Sequence, residues 1–155
     1  MQPHLPLLIE AAVNISLNQE ISFNVREVTI HFLEEIGDTF SKYMVKKQLM
    51  PQIQKIVDCG FRIAAESTEE YADDEESPHT LAMYMLYNYA SEIPNPIAYP
   101  VFKSNILQCS QHPDPLYRKA GLKILGHVCD SDALLDCIKD DIEELVQLLV
   151  NGLSD

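Results

Sequence analysis

Apolar residues recur along the chain at steps of three and four positions, and no alternation of apolar and polar residues lasts long enough to suggest a strand. This spacing is that of one face of an α-helix. Two apolar stripes, in segments 25–36 and 117–128, match position for position at a constant offset of 92 residues. The first consists of Val25, Val28, Thr29, Phe32, Leu33 and Ile36, and the second of Tyr117, Ala120, Gly121, Ile124, Leu125 and Val128.

A third stripe lies between them and divides the offset into steps of 54 and 38 residues. It consists of Ala82, Met85, Leu86, Tyr89, Ala90 and Ile93. Another apolar helix is predicted before each stripe, and a further one closes the chain. Steps of this size are typical of paired-helix repeats of the HEAT and armadillo class, with about 40 to 47 residues per unit.

The sequence therefore predicts an all-α HEAT-repeat α-solenoid that is a fragment of a larger superhelix. The expected repeats are 1–44, 45–94 and 95–130, and 131–155 would supply the first helix or helices of a further repeat, with a short helix near 132–138. Stacked repeats need neighbours to cover their apolar faces. We therefore expect further repeats on both sides in a parent chain.

Two short motifs predict where helices begin. Ser77 and Asp114 are each followed directly by a proline, at Pro78 and Pro115. A serine or aspartate side chain caps the first turn of a helix, and proline is favoured at the first helical position because no partner is needed for its missing N–H.

An acidic segment separates two of these predicted helices. Seven carboxylates lie within residues 66–76, and no lysine or arginine occurs between Ile63 and Phe102. We call the first helix of each predicted repeat A and the second, which carries the apolar stripe, B. We place the acidic segment in the A–B loop of the middle repeat, at 66–77, at the edge of the solenoid. It is either a solvated loop tip or, because its charges lack a basic partner nearby in sequence, a negative site for a basic surface.

Overall composition narrows the function further. The 155 residues are 46% hydrophobic and carry 24 acidic against 11 basic side chains, a formal charge of −13. Such a charge repels nucleic acid and anionic lipid, so we expect no direct nucleic-acid or membrane ligand. The four cysteines have no metal-type spacing, and we find no motif for catalysis or a cofactor. We therefore expect a non-enzyme with reduced thiols.

The helix faces opposite the apolar stripes are the other candidate surface. Glu27, His31, Glu34 and Asp38 form an acidic line on the first B helix, whereas Lys119, Lys123, Gly126 and Asp130 occupy the equivalent line on the third. A solvated face is the alternative for both lines. Arg26 and Arg118 occupy equivalent repeat positions, and we expect them to bond acidic or carbonyl groups of the neighbouring repeat. The possible concave-face contacts are Glu27, Glu34, Asp38, Tyr84, Asn88 and Glu92.

The order of these segments resembles a known family. The acidic segment, then "SPHTLAMYMLYNYASEIP", "PVFKSNILQCSQHPDPLYRKAGLKILGHVCD" and "LVQLLVNGLSD", is similar to the central HEAT repeats of importin beta-type nuclear transport receptors. The closest branch is the one called importin four in animals and karyopherin one-two-three in fungi. The resemblance implies a shuttling carrier for basic cargo such as ribosomal proteins and histones, with nucleoporins as a further partner class.

The resemblance also implies a regulator and a place for it. Such carriers release cargo in the nucleus when the GTP form of Ran binds, and an acidic loop of a central repeat contacts a basic region of Ran. The matching positions here are Glu69, Glu70, Asp73, Asp74, Glu75 and Glu76. The alternative is a static HEAT scaffold, such as a phosphatase regulatory subunit, or an assembly chaperone, in which the acids only keep an edge soluble.

Overall fold

The structure is a computed structural model that describes residues 4–66, 77–130 and 134–152. These ranges form eight α-helices and contain no strand, so the described part of the chain is all-α, as the sequence predicted. The helices are α1 (Leu5–Leu17), α2 (Phe23–Lys46), α3 (Met50–Ala64), α4 (Pro78–Glu92), α5 (Asn95–Ser110), α6 (Pro115–Asp130), α7 (Leu135–Asp140) and α8 (Ile142–Gly152).

The first six helices pack as three successive pairs, α1 with α2, α3 with α4 and α5 with α6. The odd-numbered helices also contact one another in order, as do the even-numbered helices. The result is two rows, α1–α3–α5 and α2–α4–α6, with the apolar core between them. Helices α7 and α8 pack against α6 at one end.

Both predicted helix starts are confirmed. The Ser77 side chain accepts a hydrogen bond from the backbone N–H of Thr80, and Pro78 opens α4. The carboxylate of Asp114 accepts from the backbone N–H of Leu116 at 2.9 Å at the beginning of α6. Each cap satisfies a donor that the first helical turn leaves without a partner.

The predicted stripes differ in how well they match the buried faces. All six stripe residues of α4 are buried, and on α6 only Tyr117 is half-exposed. On α2, however, Val25 and Val28 are 49% and 67% exposed, and the buried face instead follows Arg26, Ile30 and Leu33. The register predicted for the first turns of α2 was wrong because that helix turns its buried face towards both α1 and α4.

Helix α2 ends in a turn centred on Gln48, whose φ of 55° lies in the left-handed region. The backbone N–H of Leu49 donates to the carbonyl of Met44, and the backbone N–H of Gln48 donates to the carbonyl of Val45. This pair of hydrogen bonds is the Schellman motif. Glycine is the usual residue at this position. The turn at 47–49 separates α2 from α3, three residues beyond the repeat boundary predicted at 44.

A polar cluster attaches the last helices to α5. The Tyr99 hydroxyl donates to Asp141 at 2.8 Å, and the Lys103 ammonium lies 2.9 Å from Asp141 and 2.8 Å from Glu144. The pKa of Tyr99 is raised by desolvation and by its bond to Asp141.

On α8, Ile142 and Val146 remain exposed, at 50% and 47%.

Candidate partner-binding face

The outward face of the second row begins with the acidic line of α2. Glu27 and Glu34 are half-buried, whereas His31 and Asp38 are exposed. One carboxylate oxygen of Glu34 lies 3.1 Å from Nδ1 of His31, and the other accepts a hydrogen bond from the Asn88 amide at 3.0 Å. Glu34 and Asn88, both named from the sequence as candidate contacts, therefore meet across the α2–α4 interface.

Helix α4 contributes exposed aromatic side chains to the same face. Tyr84 and Tyr87 are 60% and 46% exposed, and Glu92 is exposed near the end of the helix. Tyr89 is fully buried, as its place in the apolar stripe predicted, and its hydroxyl donates to the Leu33 carbonyl at 2.9 Å. Burial raises the pKa of Tyr89.

Helix α6 adds a line of basic residues. Lys119, Lys123 and His127 are all exposed and follow one another at four-residue steps, which places them on one side of the helix. Gly126 is exposed beside them, and Asp130 is the last residue of α6. The described face is therefore acidic on α2, aromatic on α4 and basic on α6.

His79 joins α4 to this basic line, a contact that the sequence did not reveal. Its Nδ1–H donates to the Ala64 carbonyl at 2.9 Å, which leaves Nε2 to accept from the Lys123 ammonium at 3.3 Å. Burial lowers the pKa of His79, the bond to the Ala64 carbonyl raises it, and the ammonium charges of Lys123 and Lys119 lower it further. This arrangement favours the neutral imidazole.

The acidic segment is described only at its first carboxylate. Glu66 accepts a hydrogen bond from Arg26, which is 5% exposed and also donates through Nε to the Ser16 carbonyl at 2.8 Å. The structural role expected for Arg26 is confirmed, and Glu66 has a basic partner 40 residues away in sequence. Arg118 donates to the carbonyls of His112 and Pro113, which lie in its own predicted repeat and not in a neighbouring one as expected. The other predicted acids, Glu69, Glu70, Asp73, Asp74, Glu75 and Glu76, lie outside the described residues.

A groove of about 660 Å³ opens between α4 and α6. The residues that line it are His79, Thr80, Met83, Tyr84, Tyr87, Asn88 and His127. A smaller hollow beside it is lined in part by Glu66, His79, Lys119 and Lys123. The apolar part of the lining of this groove is Met83 with the rings of Tyr84 and Tyr87, all on α4, and His127 lines it from α6.

A metal site and a membrane-spanning helix have no counterpart in the described ranges. Within residues 4–66, 77–130 and 134–152, no group of three His, Cys, Asp or Glu side chains is placed to hold a metal ion. In the same part of the chain, no helix is both long enough and apolar enough to span a bilayer.

Comparison with protein-family models gives no match for this chain, and no curated protein is significantly similar to it.

Proposed function

We propose that this chain is a HEAT-repeat segment of a nuclear transport receptor of the importin beta type. The feature of the fold that supports this proposal is the arrangement of three successive helix pairs in two rows. Leu7 and Val28 of the first pair are 67% exposed each, and Ile142 and Val146 of the last helix are also exposed. Apolar surface at both ends is what stacked neighbouring repeats cover in such an array.

The binding function that we propose is recognition of basic protein segments. The observation that carries it is the acidic line of α2 beside exposed aromatic rings of α4, with Glu34 bonded to Asn88 between them. Carboxylates of Glu27, Glu34 and Asp38 can pair with lysine or arginine side chains, and the rings of Tyr84 and Tyr87 can stack on the same cations. Lysine-rich cargo such as histone tails and ribosomal proteins has the matching chemistry.

Regulation by Ran in its GTP form is the second part of the proposal. It rests on the acidic composition of residues 66–76 and on the sequence resemblance. Such a segment would attract the basic surface of the GTPase over about one Debye length, 8 to 10 Å at physiological salt. The carrier would then exchange cargo for Ran and move between cytoplasm and nucleus.

The test is direct binding to the intact chain. Immobilised protein is titrated with Ran-GTP, Ran-GDP and a lysine-rich histone-tail peptide by biolayer interferometry. We expect binding of Ran-GTP and of the peptide, and at least tenfold weaker binding of Ran-GDP. Equal response to both Ran forms, together with no binding of the peptide, would instead support the static scaffold.

A matched pair of variants distinguishes a binding site on α2 from a general effect of the net charge. Glu27→Gln, Glu34→Gln and Asp38→Asn together should weaken peptide binding. The control, Glu10→Gln, Glu20→Gln and Glu143→Gln, removes the same number of charges from exposed positions outside α2. The same loss in both variants would contradict a localised site on α2.

A further inference from the structure

A hollow of about 320 Å³ lies between α3, α5 and the beginning of α6, apart from the residues that the proposed binding of basic segments uses. Its lining includes two charged side chains of α3, Asp58 and Arg62, and three aromatic rings, those of Phe61, His112 and Tyr117. Ligand pockets commonly measure about 300 to 1,000 Å³. A hollow at the small end of this range suits a small molecule.

The two charged residues of the hollow have opposite signs but do not pair with each other. Asp58 and Arg62 are four residues apart on α3, a spacing at which a carboxylate and a guanidinium group often pair. Oδ1 of Asp58 instead accepts hydrogen bonds from the side-chain amides of Gln54 and Asn105. Arg62 is exposed, and among the described residues no carboxylate lies within ion-pair distance of it. The hollow therefore presents an anion and a cation separately.

The aromatic part of the lining is held in place by contacts within the chain. The rings of His112 and Tyr117 stack with their centroids 4.0 Å apart. The backbone N–H of Asp114 donates to Nδ1 of His112 at 3.1 Å, so the neutral imidazole carries its hydrogen on Nε2. Phe61 is only 1% exposed, which places its ring at the base of the hollow. The lining thus combines apolar rings with an N–H donor besides Arg62.

We propose that this hollow binds a free aromatic α-amino acid. The ammonium group of the ligand donates to Oδ2 of Asp58, the oxygen that takes no part in the two amide bonds. The carboxylate of the ligand accepts from the guanidinium of Arg62, and its ring packs against the aromatic lining.

The two charges of the hollow select a zwitterion over a singly charged ligand. An anion would meet the like charge of Asp58, and a cation would meet that of Arg62, whereas an α-amino acid offers each residue the opposite charge. This site does not depend on a role in nuclear transport.

The probe is L-phenylalanine, added to the isotope-labelled intact chain at near-physiological salt and slightly acidic pH, where free amino groups are protonated. Two-dimensional NMR is the readout because it detects millimolar affinity and reports the residues involved. We expect chemical-shift changes concentrated in residues 58–62 and 105–117. L-Phenylalaninamide lacks the carboxylate and N-acetyl-L-phenylalanine lacks the ammonium group. Each should bind at least about tenfold more weakly, because each loses a hydrogen bond between charged groups.

Two substitutions assign each charge of the ligand to its partner. Arg62→Gln should weaken binding of L-phenylalanine at least tenfold but should not weaken that of L-phenylalaninamide, which has no carboxylate for Arg62. Asp58→Asn keeps an oxygen that can accept from the neighbouring amides. It should weaken L-phenylalanine but not N-acetyl-L-phenylalanine. The controls, Lys42→Gln and Glu35→Gln, make the same changes in net charge at exposed positions of α2 and should alter the dissociation constant less than twofold.

Thermal unfolding followed by circular dichroism checks that each variant is folded. It also gives a second readout, since a ligand of the folded chain raises the Tm, and Arg62→Gln should reduce this rise. The proposal is overturned if L-phenylalanine produces no shifts at millimolar concentration, or if its shifts lie outside the hollow. Equally tight binding of either analogue to the wild type would also overturn it, a comparison that requires no variant. So would equal losses in the substitutions and their controls.

Discussion

The ring of Tyr89 on α4 lies directly against Gly37 on α2. A β-carbon built on Gly37 would be 2.8 Å from Cε2 of that ring, closer than side chains approach one another in proteins. The ring cannot easily retreat, because it is fully buried and its hydroxyl is bonded to the Leu33 carbonyl. The absence of a side chain at residue 37 thus sets how closely the two helices pack.

Gly37→Ala is therefore expected to lower the free energy of unfolding by about 1 to 3 kcal/mol, the usual cost of overpacking a core. Gly126→Ala is the matched control, since a β-carbon there meets nothing within 4 Å. It should raise stability by up to about 1 kcal/mol through better helix propensity. Chemical denaturation measures both, and equal effects of the two substitutions would contradict the close contact.

The Arg26–Glu66 pair predicts a second stability difference. Arg26→Met should cost about 3 kcal/mol, because it removes the bond to the Ser16 carbonyl and leaves the mostly buried Glu66 without its cation. Lys55→Met, which breaks the exposed pair with Glu10, should cost about 0 to 1 kcal/mol. Denaturant titrations in which Arg26→Met is no more harmful than Lys55→Met would refute this role for Arg26.

His79 predicts how stability depends on pH. Its pKa is lower in the folded chain than the ordinary 6.5, so the unfolded chain takes up the proton first as pH falls. Its contribution to stability is intact above about pH 6.5 and declines as pH falls from there to the lowered folded pKa. His79→Gln should flatten the unfolding free energy measured over this range. A slope identical to that of the wild type would assign the effect to other groups.

The cysteines should differ in reactivity. Cys59 and Cys109 are buried, and desolvation raises the pKa of Cys59 to about 12 and that of Cys109 to about 11, so few thiolates form at pH 8. Cys129 is exposed. Labelling with iodoacetamide followed by peptide mass spectrometry should modify Cys129 within minutes and the two buried thiols only after denaturation. Rapid labelling of Cys59 in the native chain would contradict its burial.

The acidic segment predicts a kinetic effect on binding. Replacing Glu69, Glu70, Asp73, Asp74, Glu75 and Glu76 together by Gln or Asn should slow association with Ran-GTP or a lysine-rich tail, and the defect should shrink as salt rises. Single replacements should be nearly silent, because exposed pairs are worth about 0 to 1 kcal/mol each.

The control for this variant neutralises six scattered acids instead. They are Glu10, Glu20, Glu35, Asp136, Asp140 and Glu143, all exposed and all outside residues 66–76. Association rates measured at low and near-physiological salt should be less affected by the control. Unchanged rates in the first variant would mean that the acids only keep that edge of the protein soluble.

Local sequence signals were sufficient to predict the order of the helices, because the interactions that start a helix and set its apolar face act between residues a few positions apart. The caps at Ser77 and Asp114 act on donors two or three positions away. The apolar stripe of α4 is buried throughout, and this helix has neighbours on several sides, so its periodicity alone located the core.

What only the tertiary structure decided are the contacts between residues that are distant in sequence. Val25 and Val28 satisfied the helical period but remain exposed, since the burial of α2 depends on where α1 and α4 lie. The pairs Arg26–Glu66, Glu34–Asn88 and His79–Lys123 join residues 40, 54 and 44 positions apart. Their side chains meet because packing of the apolar faces fixes the helices next to one another, and no local pattern records that arrangement.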